Sequence, residues 1–131
     1  MNISASGKNS QGAHTVLVST ESNDKSMVIL PKATGGSSIN GGELLFLALA
    51  TCACNDVYRE AGKRNMSIES VSVDVNGQFG KEGEPGKNIV YRMTIIAPQH
   101  SQAEIQDLIA YVNHVAEIHN TLRGGVDVRL M

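Results

Sequence analysis

At 131 residues, with a formal net charge of −2 and two cysteines, the chain is long enough for one domain with a real core and has no disulfide framework. Lys and Arg form no run, which excludes the electrostatic footprint of a nucleic-acid or anionic-lipid binder, and no apolar stretch approaches the roughly 20 residues that span a bilayer. We therefore expect a single domain, residues 1–131, cytoplasmic, with free thiols and with neither nucleic acid nor a membrane as partner.

The first residues, MNISASGKNSQGAHT, are polar and lack the basic start and apolar segment of a signal peptide. Residues 1–13 are expected to be a flexible end. Residues 14–20 and 26–30 are rich in β-branched side chains and flank the polar cluster Glu21-Ser22-Asn23-Asp24-Lys25, which predicts a hairpin. Residues 31–42 form a Gly/Ser-rich connection to a helix expected from about Gly42 to Lys63. Glu43 lies in its first turn and Lys63 and Arg64 at its end, as the helix dipole favours. Over residues 44–54 this helix is apolar on every face, and such a helix must be buried all round. One small domain has little material to cover it, so a partner subunit is expected.

Residues 68–79 alternate apolar and polar, with an irregularity near Glu69-Ser70, and predict a strand with one wet face. Gly83, Pro85 and Gly86 mark a hairpin loop, residues 88–97 the returning strand, and Pro98 its end. Ser101 followed by Glu104 is the signature of a capping box. It opens a second helix whose stripe is Ile105, Leu108, Ile109, Val112 and Val115, with Asn113 and His114 toward the other side. A turn over residues 120–125 and a strand over 126–130 complete the order β-β-α-β-β-α-β. The fold class is α+β with an antiparallel sheet.

Both cysteines fall in the apolar helix. Positions 52 and 54 are about 200° apart on a helix, so Cys52 and Cys54 cannot form a disulfide there. Each is read either as core filling or as a reactive thiol. Cys52, Cys54, His114 and His119 lack the spacing of a zinc set, and no metal or cofactor is expected. Glu43 is either a first-turn charge or a site residue. Asp56 reads as a polar contact on the same helix, and Arg123 as a surface or turn cation.

Glu43-Leu44-Leu45-Phe46-Leu47-Ala48-Leu49-Ala50-Thr51-Cys52, with Asp56-Val57 after it, resembles the cysteine helix of the OsmC/Ohr family. Gly35-Gly36 upstream, the strand at 68–79 and Asn120-Thr121-Leu122 match in order and spacing. The resemblance implies an OsmC-like fold, an intertwined homodimer with buried central helices. It also implies reduction of organic hydroperoxides or hydrogen peroxide by a peroxidatic cysteine, here Cys52. In the family that cysteine is activated by an arginine from the N-terminal strands and a glutamate before the helix, with Glu43 the candidate here. The family's resolving cysteine falls at Ala116, no arginine precedes Arg59, the proline of the helix-start motif is absent, and the glutamate of the best-studied peroxidases falls at Gly42. A cycle on Cys52 then uses one cysteine and needs an external thiol reductant, and Lys32, Arg92 or Arg123, from another segment or subunit, are the candidates to replace the missing cation. The other reading is a weakened family member whose cleft binds a small apolar molecule or serves structure alone.

Overall fold

The computed structural model describes Met1–Met131, which fall into two compact units, Met1–Leu44 and Leu45–Met131. No helix is long and apolar enough to cross a membrane.

The N-terminal unit holds a three-stranded antiparallel meander of β1 (Ile3–Ser10), β2 (Ala13–Thr20) and β3 (Asn23–Ser26). The expected flexible end is thus a strand. All eight β1 residues are exposed, so no apolar periodicity announces it. It is held by a ladder running from Ile3↔Thr20 to Ser10↔Ala13. The ladder is closed by a two-residue turn in which Gly12 takes φ 75°, a conformation open to glycine without a Cβ clash. The second hairpin also turns earlier than expected. Glu21 sits at φ 53° and is secured by its N–H to the Asn2 carbonyl, 2.8 Å, so Asp24 and Lys25 belong to the ladder. In the connection that follows, Asn9 pairs with Gly36 like a strand residue. Its Oδ1 accepts the Gly36 N–H at 2.8 Å and its Nδ2 donates to the Gly36 carbonyl at 2.9 Å.

Helix α1 (Gly41–Lys63) begins with a reciprocal cap. The Glu43 N–H donates to Asn40 Oδ1 at 2.8 Å, and the Asn40 N–H donates to Glu43 Oε1 at 3.1 Å, which satisfies two of the free donors at the helix start.

The C-terminal unit packs the rest of α1 with the antiparallel pair β4 (Ser70–Gln78) and β5 (Lys87–Ile96), and with α2 (Gln102–Val115) and α3 (Glu117–Gly124). The strand irregularity lies at Asn76/Gln78, where a Cβ on Gly77 would sit 2.6 Å from the Phe46 ring. Ser101 and Glu104 form the expected capping box on α2. Val57, Ala61, Leu108 and Val112 are the core, with Met66, Ile68, Val71, Met93 and Ile95 packed against it. On α1 the buried residues Leu49, Ala53, Asp56, Val57, Glu60 and Ala61 make one stripe, while Leu47, Ala48 and Thr51 remain exposed. Within one chain the apolar helix is therefore covered on one side only.

Two expectations at the C-terminus are corrected. Residues 120–125 are not a bare turn, because α3 runs through Gly124, and residues 126–130 form no strand. Their alternating Val126, Val128 and Leu130 have no paired strand in the chain and are exposed at 63%, 91% and 102%.

Candidate thiol site

Cys52, Asp56 and Arg59 occur at i, i+4 and i+7 of α1, a spacing that brings them onto one helix face. The half-buried Cys52 Sγ donates to Asp56 Oδ2 at 3.6 Å, long for an oxygen donor and ordinary for the larger sulfur atom. The other oxygen, Asp56 Oδ1, pairs with Arg59 Nη1 at 3.0 Å. Arg59 is fixed twice more, by Nε to Glu60 Oε1 at 2.9 Å and by Nη1 to Glu117 Oε1 at 3.4 Å. Lys63 adds a second cation on Glu60 Oε1, 3.0 Å, and together these bonds hold the Glu60 carboxyl below its ordinary pKa.

The start of α3 supplies the other wall. Ala116 is its N-cap and offers no side-chain acceptor, and the backbone N–H of Ile118 turns to the Cys52 sulfur. That N–H favours a thiolate, as a helix start does, but it is outweighed. Burial raises the thiol pKa most, and the charge and hydrogen bond of Asp56 and the charge of Glu117 push it the same way. Asp56 is buried and its own pKa is raised, by burial first and by Glu117 next, against the lowering effect of Arg59. Donor atoms of Cys52, Asp56 and Glu117 lie within 4.8 Å of one another, but Arg59 bridges the two carboxylates. The cation of this cluster is a guanidinium, and neither His114 nor His119 belongs to it.

Leu49, one turn before Cys52, opens onto a pocket of about 250 Å³ lined also by Ile89, Tyr91, His119, Leu122 and Arg123. Tyr91 is tied to the thiol site electrostatically. Burial raises its pKa most, and the charges of Cys52 and Asp56 add to this against a bond and charge from Arg123. Buried His119 packs against Tyr91 with ring centroids 4.4 Å apart and the planes tilted by 47°, and neither of its ring nitrogens has a partner.

Of the residues singled out from sequence, Cys52 has a built environment. Cys54 is half-buried, unpaired and raised in pKa by burial, and Glu43 is engaged in the α1 cap. Among the substitute cations, Arg123 lines the pocket and bonds to Asn113 and Asn120. Arg59, not among them, is the one linked to the sulfur through Asp56, and its i+7 spacing from Cys52 was the signal that could have found it. Glu117 had no local signal, since it reaches the site only because α3 folds back onto α1.

The family model described as OsmC-like protein matches residues 34–131. The chain belongs to the OsmC-like family. Solved structures with the same fold include the OsmC-like protein of Mycoplasma pneumoniae, 21% identical over 94% of this chain and 86% of that one, with a TM-score of 0.64. An organic hydroperoxide resistance protein OsmC of Legionella pneumophila is 20% identical over 98% of this chain and 94% of its own, TM-score 0.59. The organic hydroperoxide resistance protein OhrB of Bacillus subtilis is 16% identical over 98% and 96%, TM-score 0.56. No curated protein matches this OsmC-like chain.

Proposed function

We propose that this OsmC-like protein is a thiol-dependent peroxide reductase that works through Cys52 in a one-cysteine cycle. The observation that carries the reading is the setting of the Cys52 thiol. It is half-buried, hydrogen-bonded to a carboxylate on one side, met by the Ile118 N–H on another, and placed one helical turn from an apolar pocket. The pocket suits the organic part of a small hydroperoxide, and two neighbours in fold are named organic hydroperoxide resistance proteins. Cys54 points to another face of α1, so a sulfenic acid on Cys52 passes to an external thiol, first as a mixed disulfide and then as free Cys52. The exposed Leu47, Ala48 and Thr51 face is covered, in this reading, by a second copy in a homodimer, and the reducing cytoplasm supplies the thiol.

One observation favours the competing reading, in which the pocket binds a small apolar molecule without turnover. The Cys52 pKa is raised, and no cation touches the sulfur itself. Turnover separates the two. Native protein with an organic hydroperoxide and a small dithiol should consume peroxide in proportion to protein, and Cys52→Ser should stop it. Consumption no faster than in protein-free buffer would leave the binding reading.

A further inference from the structure

Asp56 does two opposed things at this site. Its charge and hydrogen bond raise the Cys52 pKa, which depletes the thiolate in the resting protein, yet it is the side chain bonded to the sulfur's proton. A group that suppresses the resting nucleophile can still speed the reaction if it moves the proton during the bond changes, and a positioned carboxylate does this when it is within reach of the proton it takes. The two Asp56 oxygens divide the work. Oδ2 faces the sulfur at 3.6 Å and Oδ1 is held by Arg59 at 3.0 Å, with Arg59 in turn fixed by Glu60 and Glu117. The titratable and charged groups facing Asp56 are Cys52, Arg59 and Glu60 on its own helix, Glu117 from α3 and Tyr91 from β5. Among them Glu117 is the rival carboxylate, but it is 66% exposed.

We propose that Asp56 is the proton carrier of the Cys52 reaction, taking the thiol proton on Oδ2 and returning it to the leaving oxygen, while Arg59 is the positioning residue that keeps the carboxylate aimed at the sulfur. The step rests on the peroxide reading above. The Cys52 S–H proton passes to Asp56, and a sulfur lone pair forms the S–O bond to the terminal oxygen of R–O–O–H. The O–O bond breaks with its electron pair going to the RO oxygen, which takes the proton from Asp56 and leaves as R–OH. Cys52 becomes S–OH, two electrons oxidised, and the peroxide bond is reduced by the same two. The Ile118 N–H stabilises negative charge on the sulfur as the proton departs.

The test compares two reactions of Cys52 in a Cys54→Ser background, so that one thiol reports. Oxidation by cumene hydroperoxide needs a proton on its leaving oxygen; alkylation by iodoacetamide expels iodide and does not. Asp56→Asn should lower the oxidation rate constant by about 100-fold or more, the usual worth of a positioned acid or base, and should raise the alkylation rate, because the thiol pKa falls when the carboxylate is neutralised. Native protein gives a second readout that needs no folded variant. Oxidation should be nearly independent of pH between the Asp56 and Cys52 pKa values, while alkylation climbs about tenfold per pH unit with the thiolate fraction. Oxidation that tracks alkylation, in the variant or across pH, would overturn Asp56 as proton carrier and leave it an electrostatic suppressor. Native protein that is alkylated but never oxidised would overturn the peroxide reading itself.

Discussion

Tyr91 and Arg123 converge on a single acceptor. The Tyr91 hydroxyl and Arg123 Nη2 each donate to Asn113 Oδ1 at 2.6 Å. Arg123 Nη1 also takes the Asn113 carbonyl at 2.9 Å and Asn120 Oδ1 at 3.0 Å. One side chain of α2 thereby links β5 to α3, and a late carbonyl of α2 is capped by a cation, as its dipole favours. The wall of the pocket beside Cys52 depends on this junction.

Asn113→Leu should therefore destabilise the protein by about 0.5–1.5 kcal/mol, the usual net worth of a hydrogen bond, because Asn113 and Arg123 are exposed and only Tyr91 is half-buried. Asn113→Asp keeps an oxygen for both donors and should stay closer to native. Urea denaturation of the two variants checks this, and a Leu variant as stable as native would show that the junction contributes nothing.

Glu43 and Asn40 cap α1 reciprocally. Glu43→Ala should cost about 1 kcal/mol, the typical worth of a cap, and Glu43→Gln, which retains an acceptor oxygen, should cost less. If capping is its whole contribution, neither variant changes the rate of Cys52 oxidation. A large fall in that rate in Glu43→Gln at unchanged stability would place Glu43 at the site, as its position relative to Cys52 in the family pattern implies.

The parts of this molecule legible in the sequence are those written in local chemistry. Alternation at Val71, Val73 and Val75 marks β4, Ser101 with Glu104 marks the start of α2, and the spacing from Glu43 to Cys52 carries the family pattern. What escaped is held by backbone or by tertiary contact. Strand β1 has no apolar face and exists through its ladder. Residues 120–125, which end on Gly124 and Gly125, read as a turn, yet α3 runs from Glu117 to Gly124, and only its packing places the Ile118 N–H and the Glu117 carboxylate at Cys52. The alternation at Val126, Val128 and Leu130 misled in the other direction, because a strand pattern without a paired strand makes no strand in this chain.

His119 carries the clearest pH signature. Burial first, and the Arg123 charge second, lower its pKa below the ordinary histidine value, so the unfolded chain binds a proton here more readily than the folded one. Stability from this residue is fully present above about pH 6.5 and declines as the pH falls from there toward the folded-state value. His119→Phe keeps a ring against Tyr91 and removes the titration. The melting temperature of native protein should fall more between pH 7 and pH 5 than that of His119→Phe, and parallel curves would contradict the assignment.

The most direct measurement of the central claim is mass spectrometry of native protein exposed to an organic hydroperoxide, with a sulfenic-acid trap in one sample and a small thiol in another. The account predicts trapped sulfenic acid on Cys52, a mixed disulfide at Cys52 when the thiol is present, no disulfide between Cys52 and Cys54, and loss of all of this in Cys52→Ser but not in Cys54→Ser. A Cys52–Cys54 disulfide in folded protein, or a Cys52 unchanged by peroxide, would contradict it.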